Sequence, residues 1–301
     1  MVCIVWGTTY LAIRVAVSTI PPLLLTGCRF TVAGSLLLVL ARIRGEALPR
    51  SRRVIADLFF VGFLMVGIGN LSVVWAERWV PSGMAALFVA TAPFWAAVME
   101  RMRRDGDRID RRRAVGILLG FAGVALLVVP GGGGRAFDLH LLAGALAIQA
   151  GAVAWQYGTM RGKYNLAEVP PLMSSAIQML TGGVLVTLIG VVLGEPRHMV
   201  ITRAGIAALA YLTLFGSVLA YTAYVYALKH MRVTNMSVYA YVNPLIAVVV
   251  GWIVLRERLT PLSVAGIGII LGGVALVQSG ARRSHGTVEF PDGEPAEQSA
   301  A

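Results

Sequence analysis

The sequence predicts an all-α integral membrane protein with ten transmembrane helices, arranged as two inverted repeats of five helices. Three observations support this prediction. Long apolar stretches alternate with short charged clusters, the basic residues fall mainly on one side of those stretches, and the second half of the chain repeats the pattern of the first.

The composition is that of a chain made mostly of membrane spans. Apolar residues make up 57% of the 301 residues and charged residues only 14%, whereas a soluble domain usually carries about 25% charged residues. The charges gather between apolar stretches of about 20 residues, the length that crosses the hydrocarbon core of a bilayer as an α-helix. The series of such stretches excludes a soluble fold, and we expect the lipid bilayer to contact most of the surface.

Ten spans account for the apolar stretches. We place them at residues 1–18, 22–40, 54–74, 82–101, 114–129, 139–160, 169–194, 204–228, 234–255 and 261–278. Pro81 and Pro261 are among the turn-forming residues that mark the boundaries. The first stretch has no basic segment ahead of it, so we interpret it as a helix and not as a signal peptide. Residues 279–301 are polar and rich in Pro and Gly, and are predicted to be disordered.

The basic residues predict the orientation of the chain. With the N-terminus inside, 18 of the 26 Lys and Arg residues lie in inside loops and the tail, and 6 lie in outside loops. Such a bias marks the cytoplasmic side of a membrane protein. We therefore expect a multi-pass protein of the cytoplasmic (inner) membrane with both termini in the cytoplasm. The net charge of +11 does not indicate nucleic acid binding, because the basic residues lie between spans rather than on a solvated face.

The two halves of the chain resemble each other at a nearly constant offset. Trp6, Arg14 and Pro21-Pro22-Leu23 match Trp155, Lys163 and Pro170-Pro171-Leu172 at an offset of 149 residues. Further matches are Gly67 with Gly216 at 149, Gly116-Ile117 with Gly266-Ile267 at 150, and Pro93 with Pro244 at 151. Each copy holds five spans, an odd number, so the copies must insert in opposite orientations. Inverted repeats are typical of secondary transporters, whose substrate binds near the midplane between the repeats.

Polar and aromatic side chains recur on single faces of several spans. In the eighth span Ser217, Tyr221 and Tyr224 follow one another at intervals of three or four residues, which places them on one helix face. Polar groups within hydrocarbon need a partner or a wet cavity. Interhelical hydrogen bonding is the alternative for each residue alone, but the set favours a substrate cavity. The candidate cavity residues are Trp6, Thr9, Tyr10, Asn70, Trp75, Thr91, Gln149, Trp155, Gln156, Ser217, Tyr221, Tyr224, Asn235, Tyr239 and Asn243.

Two prolines lie near the middle of the fourth and ninth spans. Pro93 and Pro244 lack the N–H that would bond the carbonyl four residues earlier, so the carbonyls of Val89 and Ala240 lose their helical partners. We interpret both prolines as hinges whose freed carbonyls face the substrate. A kink that the helices merely tolerate is the alternative.

Arg29 is the most deeply placed charged residue, about eight residues into the second span. A buried guanidinium needs a partner, and Glu77 at the outer end of the third span is the nearest candidate by depth, so we predict a structural ion pair between Arg29 and Glu77. No Asp or Glu lies near the centre of a predicted span. A buried carboxylate relay, the usual means of proton coupling, is therefore not indicated.

The sequence predicts neither a cofactor nor a metal site. Cys3 and Cys28 lie in apolar segments, and the four His residues are scattered without ligand spacing. Gly116 and Gly120, like Gly268 and Gly272, have the small-xxx-small spacing that allows helices to approach closely. This spacing is equally consistent with packing inside one protomer and with a homodimer.

Several motifs resemble the EamA branch of the drug/metabolite transporter superfamily, most closely its YedA-like members. They are Trp6-Gly7-Thr8-Thr9-Tyr10, Val80-Pro81-Ser82-Gly83, Ala92-Pro93, Leu214-Phe215-Gly216-Ser217 and Tyr239-Ala240-Tyr241-Val242-Asn243-Pro244. The resemblance extends to about residue 278. It implies a first EamA repeat at residues 1–129, an extracytoplasmic linker at 130–138, a second repeat at 139–278 and a cytoplasmic tail at 279–301. It also implies a central cavity and efflux of metabolites or amino-acid-like solutes.

The expected function is therefore secondary transport of a small-molecule substrate, amino-acid-like or amphipathic, by alternating access around a midplane cavity. A membrane-embedded enzyme is the weakest alternative, because the sequence shows no nucleophile with its base and no His/Glu set at membrane depth. A scaffold without transport is the other alternative, but a scaffold would not need inverted repeats with paired midplane prolines.

Overall fold

A computed structural model describes residues 1–101, 111–128, 138–230, 239–256 and 261–283. Within these ranges the regular structure is entirely helical. The α-helices are α1 (Val2–Val17), α2 (Pro22–Ile43), α3 (Arg52–Gly62), α4 (Leu71–Ala76), α5 (Ser82–Val89), α6 (Ala92–Arg101), α7 (Arg111–Val128), α8 (Leu139–Asn165), α9 (Pro171–Val192), α10 (Arg203–Tyr211), α11 (Ala220–His230), α12 (Tyr239–Leu255) and α13 (Pro261–Arg283). A π-helical segment joins α3 to α4 (Phe63–Asn70), another joins α10 to α11 (Leu212–Leu219), and a 3-10 turn spans Glu195–His198.

Six helical stretches in the described chain are long and apolar enough to cross a membrane. They are Pro22–Ile43, Arg52–Ala76, Ser82–Met99, Leu139–Asn165, Pro171–Val192 and Arg203–His230, accompanied by shorter apolar stretches at Val2–Val17, Ala114–Gly123, Asn243–Val254 and Val264–Leu276. Large apolar side chains such as Val39, Leu188 and Trp252 are more than half exposed, as expected of a surface that faces lipid tails. The prediction of an all-helical integral membrane protein is confirmed.

Helices α2 and α9 pack against each other in antiparallel orientation through backbone contact. A Cβ on Gly34 would lie 2.7 Å from the Leu180 backbone nitrogen, and a Cβ on Gly183 would lie 2.5 Å from the Thr31 backbone nitrogen. Only glycine permits two helix backbones to approach this closely. Phe30, from α2, packs in one buried apolar cluster with residues of α3, α9 and α11.

The first turns of α2 and α9 are capped by carboxylates that follow the other helix. Glu195, after α9, accepts hydrogen bonds from the backbone N–H groups of Leu23 and Leu24 at 3.2 and 2.8 Å. Glu46, after α2, accepts one from the N–H of Met173 at 3.1 Å. These N–H groups have no partner within their own helix, and a negative charge there also interacts favourably with the positive end of the helix dipole. The residues that follow each of these two helices thus stabilise the first turn of the other helix.

The fourth predicted span is interrupted just before Pro93, where the sequence predicts a loosened helix. Helix α5 ends at Val89 and α6 begins at Ala92. Pro93 cannot donate to the Val89 carbonyl, and Thr91 Oγ1 beside it donates to the Phe88 carbonyl at 2.7 Å. Pro244, by contrast, lies inside α12, which continues through it. The two prolines therefore have different effects on their helices, and their role as hinges stays a prediction.

The glycine motifs of α7 and α13 differ in what they contact. A Cβ on Gly120 would collide with the Phe94 ring, and one on Gly273 would lie 2.6 Å from the Gly116 carbonyl oxygen. Gly116 and Gly120 therefore serve packing within the protomer. Around Gly268 and Gly272 no described atom lies within 4 Å of the ideal Cβ position.

The C-terminal helix is longer than predicted. The sequence predicts a disordered tail from residue 279 onward, but α13 continues to Arg283. The remainder of the predicted tail, like residues 130–137 of the predicted linker, lies outside the described residues.

Candidate functional site

A central cavity lies between helices from both halves of the chain. It holds about 730 Å³ of space not filled by atoms, including the part open to solvent. Among the predicted cavity residues that the structure describes, those that line it are Trp6, Thr9, Tyr10, Asn70, Trp155, Tyr221 and Asn243. Val89 and Ala92, on either side of the break between α5 and α6, also line it, as expected if that break opens backbone toward the cavity.

Both π-helical segments contribute to the cavity wall. Gly69 and Asn70 end the first segment, and Gly216 lies in the second. A π-helix widens the turn and shifts the faces that follow, and such segments are frequent at functional sites. The Gly216 carbonyl accepts a hydrogen bond from Trp6 Nε1 at 3.1 Å, which links the second segment to α1.

Four aromatic rings form a contact group at one boundary of the cavity. Trp6, Trp155, Tyr221 and Tyr224 come from α1, α8 and α11, and we call them the aromatic layer. The ring centroids are 5.6 Å apart for Trp6–Trp155, 5.2 Å for Trp6–Tyr224, 5.9 Å for Trp155–Tyr221 and 5.6 Å for Trp155–Tyr224. These separations are typical of attractive aromatic pairs.

A smaller second cavity lies on the other side of the aromatic layer. Tyr224 lines this cavity, whereas Trp6, Trp155 and Tyr221 line the central one. Lys163 and Lys229 also line the second cavity. The layer is fixed by hydrogen bonds, from Tyr221 Oη to Gln178 Oε1 at 2.8 Å and between Tyr224 Oη and Thr159 Oγ1 at 2.9 Å. The aromatic layer therefore separates two cavities.

Thr91 and Gln149 are brought together, but outside the central cavity lining. Gln149 Oε1 accepts hydrogen bonds from Thr91 Oγ1 at 2.8 Å and from Trp95 Nε1 at 2.9 Å, while Gln149 Nε2 donates to the Phe88 carbonyl at 3.1 Å. This network links α8 to both sides of the break in the fourth span. Thr91 and Gln149 therefore form hydrogen bonds between helices, which is the alternative to a cavity role that the sequence allows.

The remaining predicted cavity residues have other positions. Gln156 is buried but does not line the central cavity. Trp75 packs edge-to-face on Trp79 with centroids 4.8 Å apart, and Arg78 lies over both rings. Ser217 contacts Arg29, as described next. Asn235 and the side chain of Tyr239 lie outside the described part of the structure.

Arg29 lines the central cavity, which the sequence reasoning did not foresee. Its Nε donates to Ser217 Oγ at 2.7 Å, and its guanidinium carbon lies 4.7 Å from the centre of the Phe30 ring. Glu77 is buried, and its backbone carbonyl accepts a hydrogen bond from Arg14. The ion pair between Arg29 and Glu77 stays a prediction. The depth of Arg29 in its span was the signal that could have placed it at the cavity.

Comparison with known proteins decides the family. The sequence profile of the EamA-like transporter family matches residues 1–129 and 142–279. The chain belongs to this family. The uncharacterized inner membrane transporter YedA of Escherichia coli K12 is 35% identical over 92% of this chain and 88% of its own length. The uncharacterized transporter YvbV of Bacillus subtilis is 26% identical over 92% and 88%.

Two further comparisons extend this result. A probable terminal-alkyne amino-acid exporter of Streptantibioticus cattleyicolor is 27% identical over 91% of this chain and 90% of its own. A solved crystal structure, 22% identical, superposes with a TM-score of 0.70 over 94% of this chain and 96% of the other, a likeness of fold alone. The names of the family and relatives indicate a membrane transporter rather than an enzyme.

The EamA-like transporter carries an ion pair between a buried carboxylate and a partly exposed guanidinium, which the sequence reasoning missed. Asp57 in α3 is 3% exposed, and its carboxylate accepts hydrogen bonds from Arg161 Nε at 2.8 Å and from Asn165 Nδ2 at 2.9 Å, with Arg161 Nη2 at 2.6 Å. Arg161 and Asn165 end α8, so the pair ties the two halves together. In the described residues no group of three or more His, Cys, Asp or Glu side chains could hold a metal ion.

We expect Asp57→Ala to lower the melting temperature in detergent, with a loss of about 1–2 kcal/mol in the free energy of unfolding, because it removes a carboxylate that accepts hydrogen bonds from Arg161 and Asn165, both of which can still reach water. A double-mutant cycle with Arg161→Ala measures the coupling. The matched control is Glu168→Ala, which removes an exposed carboxylate and should leave the melting temperature unchanged. Fully additive losses for Asp57 and Arg161 would show that the two side chains do not stabilise each other.

Proposed function

We propose that this EamA-like protein is a secondary transporter that exports small amino-acid-like or amphipathic metabolites by alternating access around the central cavity. The observation that carries the proposal is that cavity. It is formed by α1, α2, α4, α5, α6, α8, α11 and α12 with both π-helical segments, has room for a small molecule, and is bounded on one side by the aromatic layer. Aromatic rings and amides around a mostly apolar space are what a small amphipathic ligand requires.

Matched features at one offset support two inverted five-helix repeats. The π-helical segments Phe63–Asn70 and Leu212–Leu219 are 149 residues apart, as are the left-handed glycines Gly45 and Gly194. The capping carboxylates Glu46 and Glu195 have the same offset. The contact of Gly34 with Leu180 is likewise the counterpart of the contact of Gly183 with Thr31. Ten spans follow if the four shorter apolar helices also cross the bilayer.

The aromatic layer is proposed as the barrier on the cytoplasmic side of the substrate. With the N-terminus inside, Arg161 lies nearer the cytoplasmic end of α8 than Trp155 does, and the second cavity is lined along that end of α8 from Gly158 to Leu166. Substrate that passes from the second cavity to the central one must separate the rings of α1, α8 and α11. Alternating access then consists of opening this layer while the opposite side closes.

The proposal is tested by flux into and out of proteoliposomes that contain the purified protein. The panel consists of apolar and aromatic amino acids, their amides, and small cationic amines. We expect saturable exchange of at least one solute, absent from protein-free liposomes and retained by Leu188→Ala, a change on the lipid-facing surface. Absence of exchange for the whole panel, with protein that is folded and correctly inserted, would contradict this function.

The orientation is tested by cysteine labelling. In a Cys3→Ser, Cys28→Ser background, Ser51→Cys should react with an impermeant thiol reagent only from the cytoplasm, because the loop after α2 belongs to the basic side. Met199→Cys, after α9, should react only from outside. Both positions are exposed, so access to reagent is not limited by burial. Labelling of both from the same side would overturn the inverted arrangement.

A further inference from the structure

We propose that Arg29 binds a carboxylate of the transported solute, so that the substrates are small organic acids, amino acids included. This inference rests on the central cavity being the substrate site of the proposed function. It changes the expectation drawn from the sequence, in which Arg29 served only a structural ion pair.

The first support is the charge of the cavity wall. Among the described residues that line the central cavity, Arg29 is the one with a formal charge, and the others are apolar, aromatic, hydroxyl-bearing, amide or glycine residues. A charge at membrane depth is costly unless an opposite charge or water meets it, and such residues mark substrate pathways. The wall therefore favours an anionic group on the solute.

The second support is how the guanidinium is held. Ser217 Oγ accepts from Nε at 2.7 Å, a bond that uses neither terminal nitrogen. Nη2 lies against Gly216, where a Cβ would be only 2.7 Å away. Gly216 itself lines the cavity, so the absence of a side chain there gives the terminal nitrogens space beside the wall. A planar guanidinium fixed in this way matches the two oxygens of a carboxylate.

The third support is the rest of the wall, which suits the remainder of such a solute. Trp6, Trp155 and Tyr221 bring aromatic rings to the wall, and aromatic rings suit an apolar side chain or an ammonium group. Asn70 donates through Nδ2 to the Met65 carbonyl at 3.3 Å, which leaves its side-chain oxygen as an acceptor for an amino group. Arg29 is 3% exposed, and low solvent exposure strengthens a charged hydrogen bond.

Matched acids and amides test the inference in purified full-length protein. The probes are L-phenylalanine with L-phenylalaninamide, and phenylacetate with phenylacetamide. Binding is followed by tryptophan fluorescence, because Trp6 and Trp155 line the cavity. We expect each acid to bind the wild type at least about tenfold tighter than its amide. In Arg29→Gln the acid should bind no better than the amide, and in Arg29→Lys part of the preference should remain.

Controls separate charge recognition from folding. Ser217→Ala keeps the charge but frees the guanidinium, and should weaken acid binding while amide binding is unchanged. Leu188→Ala should retain the full preference. If Arg29→Gln does not fold, the ratio of acid affinity to amide affinity, compared between the wild type and Ser217→Ala, still tests the inference. The inference is overturned if the wild type binds acids and amides equally, or if it binds neither acid. Flux of neutral or cationic solutes in proteoliposomes would still support the transport function in that case.

Discussion

Asn243→Ala is expected to lower the rate of transport per folded molecule at least about tenfold, the effect of losing one or two hydrogen bonds to a bound solute. Asn243 is 3% exposed and lines the central cavity from α12, immediately before Pro244. Among the described residues that line the cavity, Asn243 is the one that α12 contributes. The measurement is flux in proteoliposomes of whichever solute the wild type exchanges, normalised to folded protein.

Gln156→Ala is the matched control for this prediction. Gln156 is also a buried amide, and the sequence assigned both residues to the cavity, but Gln156 does not line it. We expect Gln156→Ala to alter stability without lowering flux per folded molecule. Wild-type flux in Asn243→Ala would move the substrate site away from this cavity.

Tyr221→Ala should abolish transport for two reasons, because it removes a ring that lines the cavity and because it destabilises the fold. The ring is 1% exposed, packs in the aromatic layer and binds Gln178, so its removal should cost about 3–5 kcal/mol of stability. Tyr221→Phe keeps the ring, loses only the hydrogen bond to Gln178, and should fold and transport more nearly like the wild type.

Helical periodicity correctly predicted which residues share a helix face, but it did not predict which residues that face contacts. The spacing of Ser217, Tyr221 and Tyr224 placed them on one face of a helix, but the structure directs them to different partners. Tyr221 lines the central cavity, Tyr224 lines the second cavity, and Ser217 holds Arg29. A single sequence shows which residues share a face, but not which helix packs against that face.

The features that sequence reasoning missed depend on contacts between distant segments. Asp57 lies near the end of its span, where a carboxylate can reach water without a partner, so nothing in the sequence indicated Arg161, 104 residues away. The break before Pro93 and the continuous helix through Pro244 arise from one residue type in two surroundings. At Pro93 the Thr91–Gln149–Trp95 network supplies partners for groups beside the break. Local chemistry allowed a kink at both prolines, and tertiary packing decided between them.

The largest loss of stability is expected from Gly34→Leu and Gly183→Leu. At each position the new Cβ would lie within 2.7 Å of a backbone nitrogen of the facing helix, and backbone cannot move aside as a flexible side chain can. Overpacking in a core costs about 1–3 kcal/mol even where side chains can adjust. Here α2 and α9 would have to separate along their length, and we expect a loss of more than about 3 kcal/mol, seen as little monodisperse protein after extraction.

Gly268→Leu is the matched control, since it makes the same change in a helix where no described atom lies within 4 Å of the ideal Cβ position. It should leave extraction yield and melting temperature close to those of the wild type. Because Gly34 and Gly183 occupy equivalent places at an offset of 149 residues, the two variants should lose similar amounts of stability, and so should the milder Gly34→Ala and Gly183→Ala.

If Gly183→Leu yields as much folded protein as Gly268→Leu, backbone contact between α2 and α9 does not hold the two halves together. A large loss from one glycine and none from the other would argue against symmetric repeats packed through this helix pair.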